Sequence, residues 1–216
     1  VPIDIIGAEE LGKAGNTNML ELLKGTIPSF NVHENPIADA ASLVKPANLR
    51  GLSSDSTLIL VNGKRRHRAS VIALLGGGIN DGAQGPDISV IPSAALKQVE
   101  VLRDGASAIY GSDAIAGVIN IILKKDAQYS TFTSKAGITS ENDGFNFSSD
   151  YNTTFNFGDG GFANFTLGYY KQSITNRAGN VSDVGSTPRD IKWLAENPTA
   201  NMTVGQPEME KGDLFV

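Results

Sequence analysis

The densest group of side chains able to do chemistry is Lys64-Arg65-Arg66-His67-Arg68. It leaves an Asn62-Gly63 pair, the strongest short hairpin signal, because both central positions of a type I′ turn favour φ > 0. The charge of this stretch is thus presented on a loop or an exposed strand. Two further arginines stand in short apolar contexts, Arg50 in Leu-Arg-Gly and Arg103 in Leu-Arg-Asp. The two histidines, His33 and His67, are far apart in sequence, and there is no cysteine. That excludes a disulfide frame, thiolate metal sites and cysteine catalysis. No nucleophile, base and acid of adequate spacing stand together, so neither an enzyme nor a cofactor is expected. Gly76 to Pro86, GGGINDGAQGP, superficially resembles a phosphate loop. No Lys-Ser/Thr follows and no helix opens from it, which leaves a flexible surface loop. A calcium-binding Gly-Asp repeat also fails, because such repeats work only in stacked arrays.

Bulk properties narrow the classes further. The net charge of −5 and pI near 5.0 do not point to nucleic acid. No apolar stretch reaches the length of a transmembrane helix, and no basic n-region with an apolar h-region stands at Val1, so any signal peptide is expected to have been removed or left out. The 216 residues are enough for one domain or two, and 24 glycines suit a turn-rich fold.

The elements that must position these groups centre on Val99 to Lys125, VEVLRDGASAIYGSDAIAGVINIILKK. A β-rich run to Leu102 breaks at Arg103-Asp104-Gly105, and one helical turn, Ala106 to Tyr110, stops at Gly111. Gly117 then releases the chain into Val118 to Leu123, an almost continuous β-branched run. Such runs are strands covered on both faces. The glycines imply close backbone approach and φ > 0 at Gly105 or Gly111.

Upstream, Val1 to Ile6 reads as an edge or first strand because of Pro2. Glu9 to Lys13 makes a helical turn. Asn16 or Thr17 caps a packing helix with Leu20 and Leu23 inward and Gly25 as its stop. Asn31 to Asn48 is mainly loop, with a short helix at Ile37 to Leu43. Thr57 to Val61 is a strand, and Pro92 opens a short helix to Lys97.

Beyond Lys125 the period changes. From Phe145 to Phe157 odd positions carry Phe145, Phe147, Tyr151, Phe155 and Phe157, while even positions are polar. After Gly158-Asp159-Gly160-Gly161, the apolar set Ala163, Phe165, Leu167 and Tyr169 again holds one parity. A strand from about Tyr129 to Ile138 precedes this hairpin. At roughly 3.3 Å per residue and a 45° tilt, the stretch from Phe145 to Phe157 spans about 30 Å, the thickness of a hydrocarbon layer. Aromatics near both ends fit an interfacial girdle. On pattern alone a membrane barrel and a long sandwich hairpin fit equally. Gln172 to about Glu210 loses periodicity, apart from a helical turn at Asp190 to Glu196 around Trp193.

Four blocks then carry a resemblance: Leu49 to Leu52, LRGL; Thr57 to Arg65, TLILVNGKR; Asp87 to Leu102, DISVIPSAALKQVEVL; and Val99 to Lys125. In this order they closely resemble the plug domain of TonB-dependent outer-membrane receptors. The resemblance decides the hairpin for the barrel. It implies an α+β plug, a small mixed β-sheet with short helices, over residues 1–126. Residues 127–216 then open a transmembrane antiparallel β-barrel with a long extracellular loop. An open membrane sheet would leave unpaired edge groups in lipid, so a fragment of a longer receptor is expected, lacking the TonB-contacting segment.

The resemblance also implies a Gram-negative outer membrane as location and a function. The receptor would bind and actively import a scarce nutrient, such as a ferric siderophore, cobalamin, haem or oligosaccharide, with TonB as energy-transducing partner and the plug gating the lumen. Arg50 and Arg103 match positions where family members pair Arg with buried barrel carboxylates. Their partners are expected beyond Val216, unless they are satisfied within the plug or lie on the surface. The ligand-facing loops carry over to Ser53, Ser54, Asp55, Arg65, Arg66, His67 and Arg68, whose basic groups suit an anionic chelate. A solvated basic loop is the plainer reading. The chain departs from the family at Ile27-Pro28-Ser29-Phe30, where a Pro-Gly is usual, at Arg103-Asp104-Gly105 in place of RGP, and at Val61-Asn62-Gly63 in place of IDG. These forms suggest a subfamily of large receptors in environmental Gram-negative bacteria and leave siderophore and carbohydrate both open. The competing reading is a soluble binding or scaffold domain that reuses the plug fold, in which the hairpin aromatics would be buried against a second sheet.

Overall fold

A computed structural model describes residues 3–13, 19–32, 43–74, 78–103, 106–125, 129–175 and 208–216. Several expected features lie outside these residues: Pro2, the cap at Asn16 or Thr17, His33, most of the helix at Ile37 to Leu43, Gly76, the break at Asp104-Gly105, and the Trp193 turn with most of its long loop.

The first half is built on a mixed sheet. Strand β1 (Ile3–Gly7) leads into helix α1 (Ala8–Lys13), and helix α2 (Met19–Thr26) follows. Two short strands, β2 (Phe30–Val32) and β3 (Ala47–Leu49), pair with each other. Strands β4 (Thr57–Val61), β5 (Lys64–Arg65), β6 (Leu96–Leu102) and β7 (Gly117–Leu123) complete the main sheet, in the order β1-β6-β7-β4-β5. Only β4 and β7 run parallel; the other pairs are antiparallel. Helix α3 (Ser107–Tyr110) lies in the β6–β7 connection. Strand β1 is at the sheet edge, in line with its sequence.

The sheet is covered on both faces because its strands carry apolar residues at both parities. Val99, Val101, Ile59, Ile119 and Ile121 pack with Leu20, Leu23 and Ile27 of the α2 region. Leu58, Leu60 and Val118 pack on the other side with Ala106 and Ala114. Helix α2 runs one residue past Gly25, which is helical rather than its stop. Pro92 precedes a single 3-10 turn, Ser93–Ala95, shorter than the helix expected there, because β6 begins at Leu96.

Two backbone positions bear out the turn chemistry. Asn62 and Gly63 have φ of 51° and 77°, the I′ hairpin geometry. Their turn is fastened to the end of β7, since Gly63 donates its N–H to Asn120 Oδ1 and Leu123 donates to Asn62 Oδ1. Gly117 has φ of 143°, and a Cβ there would stand 2.5 Å from the Leu102 carbonyl oxygen and 2.7 Å from Leu49 Cδ2. Of the two glycines before it, Gly111 is a described one with positive φ, 99°.

The second half is a four-stranded antiparallel sheet. Strands β8 (Thr131–Gly137), β9 (Asn146–Phe157), β10 (Gly161–Gln172) and β11 (Met209–Phe215) lie in the order β11-β10-β9-β8. The register puts Phe132, Tyr151, Leu167 and Leu214 in one row across all four strands. Every member of that row is exposed, Phe132 to 70% and Leu214 to 72%. The opposite parity is polar and turned inward, with Ser148, Asn152 and Thr166 all buried. This sheet is therefore the inverse of the first one. Edge-to-face contact of Phe155 with Phe165, centroids 5.7 Å apart, occurs on the apolar face itself.

Candidate functional site

Two places in the fold gather polar and charged side chains. One is the end of the main sheet where β4 and β7 begin and β6 ends. The other is the seam between that sheet and the polar face of β8–β11.

At the sheet end, the turn after β3 sets the first group. Arg50 takes φ of 58° and Gly51 71°, so the chain reverses tightly before a 3-10 turn at Ser54–Ser56. Ser53 caps that turn, its hydroxyl accepting from the Asp55 N–H at 3.4 Å. The stretch leaving β5 returns along β4, with the Arg66 N–H donating to Ile59 O. That path brings Arg68 to Asp55, Nη1 to Oδ1 3.6 Å, and the same Oδ1 accepts from the Gln84 N–H at 3.1 Å. The two sequence blocks at residues 53–55 and 65–68 therefore do meet, through Asp55.

They do not all face outward. Ser54 is buried, and its hydroxyl lies against Gly85 with no hydrogen-bond partner; it is corrected from a ligand-facing residue to a packing one. Arg65 is half-exposed but tied down, donating to Asp113 Oδ2 and to the Tyr110 carbonyl oxygen. Its guanidinium clamps the α3 connection to the hairpin instead of standing free for a ligand. Arg66 is partly buried, with Nε shielded and unpartnered. His67 and Arg68 are exposed, and Ser53 and Asp55 are partly so.

The two isolated arginines sit together. Arg50 Nη1 donates to the Arg103 carbonyl oxygen at 2.8 Å, and the Arg103 guanidinium pairs with Asp4 on the neighbouring strand β1. The expectation that both partners lie beyond Val216 is thus not how this structure satisfies them. The reason is the antiparallel register, which places Asp4 opposite Val101, within reach of Arg103. Both members of the pair remain over a third exposed, so the bond adds little to stability.

At the seam, the Ser93–Ala95 turn lies against β9 and β10. Lys211 of β11 reaches across to the Ser89 carbonyl oxygen at 2.7 Å while pairing with Asp213 at 2.9 Å. Asp87 orders its own loop by accepting from the Ser89 N–H and hydroxyl. A crevice of about 340 Å³ opens here, lined by Lys45, Asp87, Ser148, Asp150 and Lys211 among others. Just past the end of β7, where its N–H donates to the Ala95 carbonyl, Lys124 has its pKa lowered below the usual lysine value by burial.

Among the described residues no group of three or more His, Asp or Glu is placed to hold a metal. What the sheet end offers is donors for an anion, and what the seam offers is a wettable contact. The sequence did not mark Asp4, Asp113, Asn48 or Asn80 as part of these sites. Each acts over a long sequence separation, and no local spacing signals that.

Comparison with known proteins agrees with this architecture. The family model described as "TonB-dependent Receptor Plug Domain" matches residues 1–118. The vitamin B12 transporter of Vibrio vulnificus is 34% identical over 119 residues, 55% of this chain and 17% of the transporter. The ferric enterobactin receptor of Pseudomonas aeruginosa is 32% identical over 123 residues, 57% of this chain and 16% of the receptor. The chain thus spans under a fifth of the length of these relatives. Among solved structures, the siderophore receptor PirA of Acinetobacter baumannii superposes with a TM-score of 0.63 at 23% identity, over 85% of this chain and 26% of that one. A mutant of the Pseudomonas aeruginosa ferric enterobactin receptor gives 0.62 at 21% identity, over 86% and 28%. These two likenesses extend past the plug into the antiparallel strands. The chain belongs to the TonB-dependent receptors of the Gram-negative outer membrane, with the family's plug followed by antiparallel barrel strands.

Proposed function

We propose that residues 1–126 gate the lumen of a receptor that actively imports a scarce nutrient, and that residues 127–216 open its barrel with a long extracellular loop. The observation that carries this reading is the inverted sheet. A sheet with an exposed apolar row and a buried polar face suits hydrocarbon on one side and a wet, plugged lumen on the other. The plug lies against that polar face through the Ser93–Ala95 turn and Lys211. Polar contacts of this kind break and re-form with water at small net change, which suits a stopper that must move.

The nutrient is an anionic metal chelate, with a ferric siderophore first; cobalamin, which carries an anionic phosphodiester but no net charge in its cyano form, is second. Support comes from His67, Arg68 and the partly buried Arg66 beside Ser53 and Asp55. Transport breaks no bond, so the work comes from TonB pulling on the plug. Arg50 and Arg103 take barrel carboxylates as partners in the whole receptor, with Asp4 holding Arg103 when no such partner is engaged.

Cells that rely on the whole receptor for chelate entry are expected to accumulate iron-55 from ferric enterobactin, or labelled cyanocobalamin, and to stop on adding a protonophore. Accumulation of neither ligand would reject the ligand class. Accumulation indifferent to the protonophore would reject energised gating. The soluble-scaffold alternative requires a cover for the apolar face of β8–β11, and the exposure of Phe132, Leu167 and Leu214 argues against it.

A further inference from the structure

The glycine-rich stretch before Pro86 is held in place by two buried side chains. Asn80 ends the 3-10 turn Gly78–Asn80 and is 1% exposed; Asn48, in β3, is also 1% exposed. Their amides face each other in a reciprocal pair, Asn48 Nδ2 donating to Asn80 Oδ1 at 2.7 Å and Asn80 Nδ2 donating to Asn48 Oδ1 at 2.8 Å. Each amide also serves the next segment. Asn80 Oδ1 accepts from the Ser54 N–H at 2.9 Å, and Asn48 Nδ2 donates to the Leu52 carbonyl at 2.9 Å. Four hydrogen bonds on two side chains thus join β3, the turn at Leu52–Ser54 and the turn at residues 78–80.

From this joint the linkage runs on to the charged loop. Gln84 donates its N–H to Asp55 and its side-chain amide to the Ala69 carbonyl. Ala73 and Gly82 are hydrogen-bonded across the same finger. Gly85 allows the finger to lie directly on Ser54, where a Cβ would come within 2.5 Å of the serine side chain. Buried polar pairs add little to stability compared with apolar groups of the same shape, but they admit far fewer arrangements.

We propose that the Asn48–Asn80 pair positions the anion-binding loops, holding residues 53–55 and 66–74 as one preformed unit. Asn80 is a positioning residue, acting through Ser54 and Asp55 without touching the nutrient. The inference rests on those loops being the ligand-facing ones.

The test needs no ligand. In the whole receptor in lipid nanodiscs, nitroxides are placed at Ser53→Cys and Ile72→Cys, and the distance between them is read by pulsed electron paramagnetic resonance. The parent should give one narrow distance peak. Asn80→Leu should lose it, and Asn80→Asp, which keeps both accepted bonds but turns an oxygen toward Asn48 Oδ1 in place of the donated N–H, should retain part of it. The double variant Asn48→Leu/Asn80→Leu strands neither side-chain amide and leaves only the Ser54 N–H and the Leu52 carbonyl without these partners. It should recover part of the thermal stability lost in Asn80→Leu while the peak stays broad, an outcome that a merely structural role would not give. Should Asn80→Leu fail to fold, the Asp and double variants decide. A narrow peak at the parent distance in the double variant overturns the proposal. That failure is separate from failure to import a chelate, which would leave the loop geometry intact.

Discussion

The two larger sheets among the described residues use similar residues for opposite purposes. In the first, β-branched side chains at both parities are buried between α2 on one face and the α3 connection on the other. In the second, strict alternation puts the large apolar groups outside and Ser148, Asn152 and Thr166 inside. An apolar side chain goes where water is absent, and in the proposed receptor the two sheets find that place in different directions: within the protein for one, in the lipid for the other. The parity of a strand therefore reports its solvent, and composition alone does not.

The largest effect that separates the two sheets should come from Gly117→Ala. The added methyl meets the Leu102 carbonyl and Leu49, at a φ that L side chains rarely adopt. Strain and overpacking together are expected to cost about 4 kcal/mol. Hydrogen exchange of β6 and β7 in the whole receptor should rise steeply while β9 and β10 keep their protection. Equal loosening of both sheets would mean that they fold as one unit.

Next in size, Leu167→Arg on the outer face should destabilise the barrel by about 2–4 kcal/mol in a bilayer, measured by urea unfolding from liposomes. The plug core should be untouched. An arginine tolerated at no cost would mean that this face meets water.

The smallest effect belongs to the charged loop. Asp55→Asn keeps an acceptor for the Gln84 N–H and removes the charge that holds Arg68. The pair is exposed and worth about 0.5 kcal/mol, so the affinity for an anionic chelate should rise about twofold, read by fluorescence quenching titration. A fall in affinity would place Asp55 itself on the ligand.

Much of the fold was legible because its signals are local. Thr57–Val61 and the Asn62-Gly63 turn follow from β-branching and from the φ > 0 requirement. The long hairpin follows from period-two alternation around Gly158–Gly161. The short strands β2 and β3 were not foreseen: three residues are too few to show a period, and they form because Phe30, Val32 and Leu49 reach the common core. The candidate site was only half legible. Adjacent basic residues suggest one surface, yet Arg65 belongs to Asp113 and Ser54 to the interior, contacts made by residues remote in sequence. The loop read as flexible surface carries Asn80, which is buried because a turn otherwise rich in glycine can pack flat and turn one amide inward.

The claim on which the rest depends is that the β8–β11 sheet has hydrocarbon on the face of Phe132, Tyr151, Leu167 and Leu214 and the lumen on the face of Ser148, Asn152 and Thr166. Nitroxides at Phe155, Leu167 and Asp150, each introduced singly as cysteine in the whole receptor in liposomes, measure it directly through collision with oxygen and with a water-soluble nickel chelate. Labels at Phe155 and Leu167 should collide with oxygen and be shielded from nickel, while the label at Asp150 should be shielded from oxygen. Nickel access at Leu167 equal to that of a solvent loop would contradict the claim.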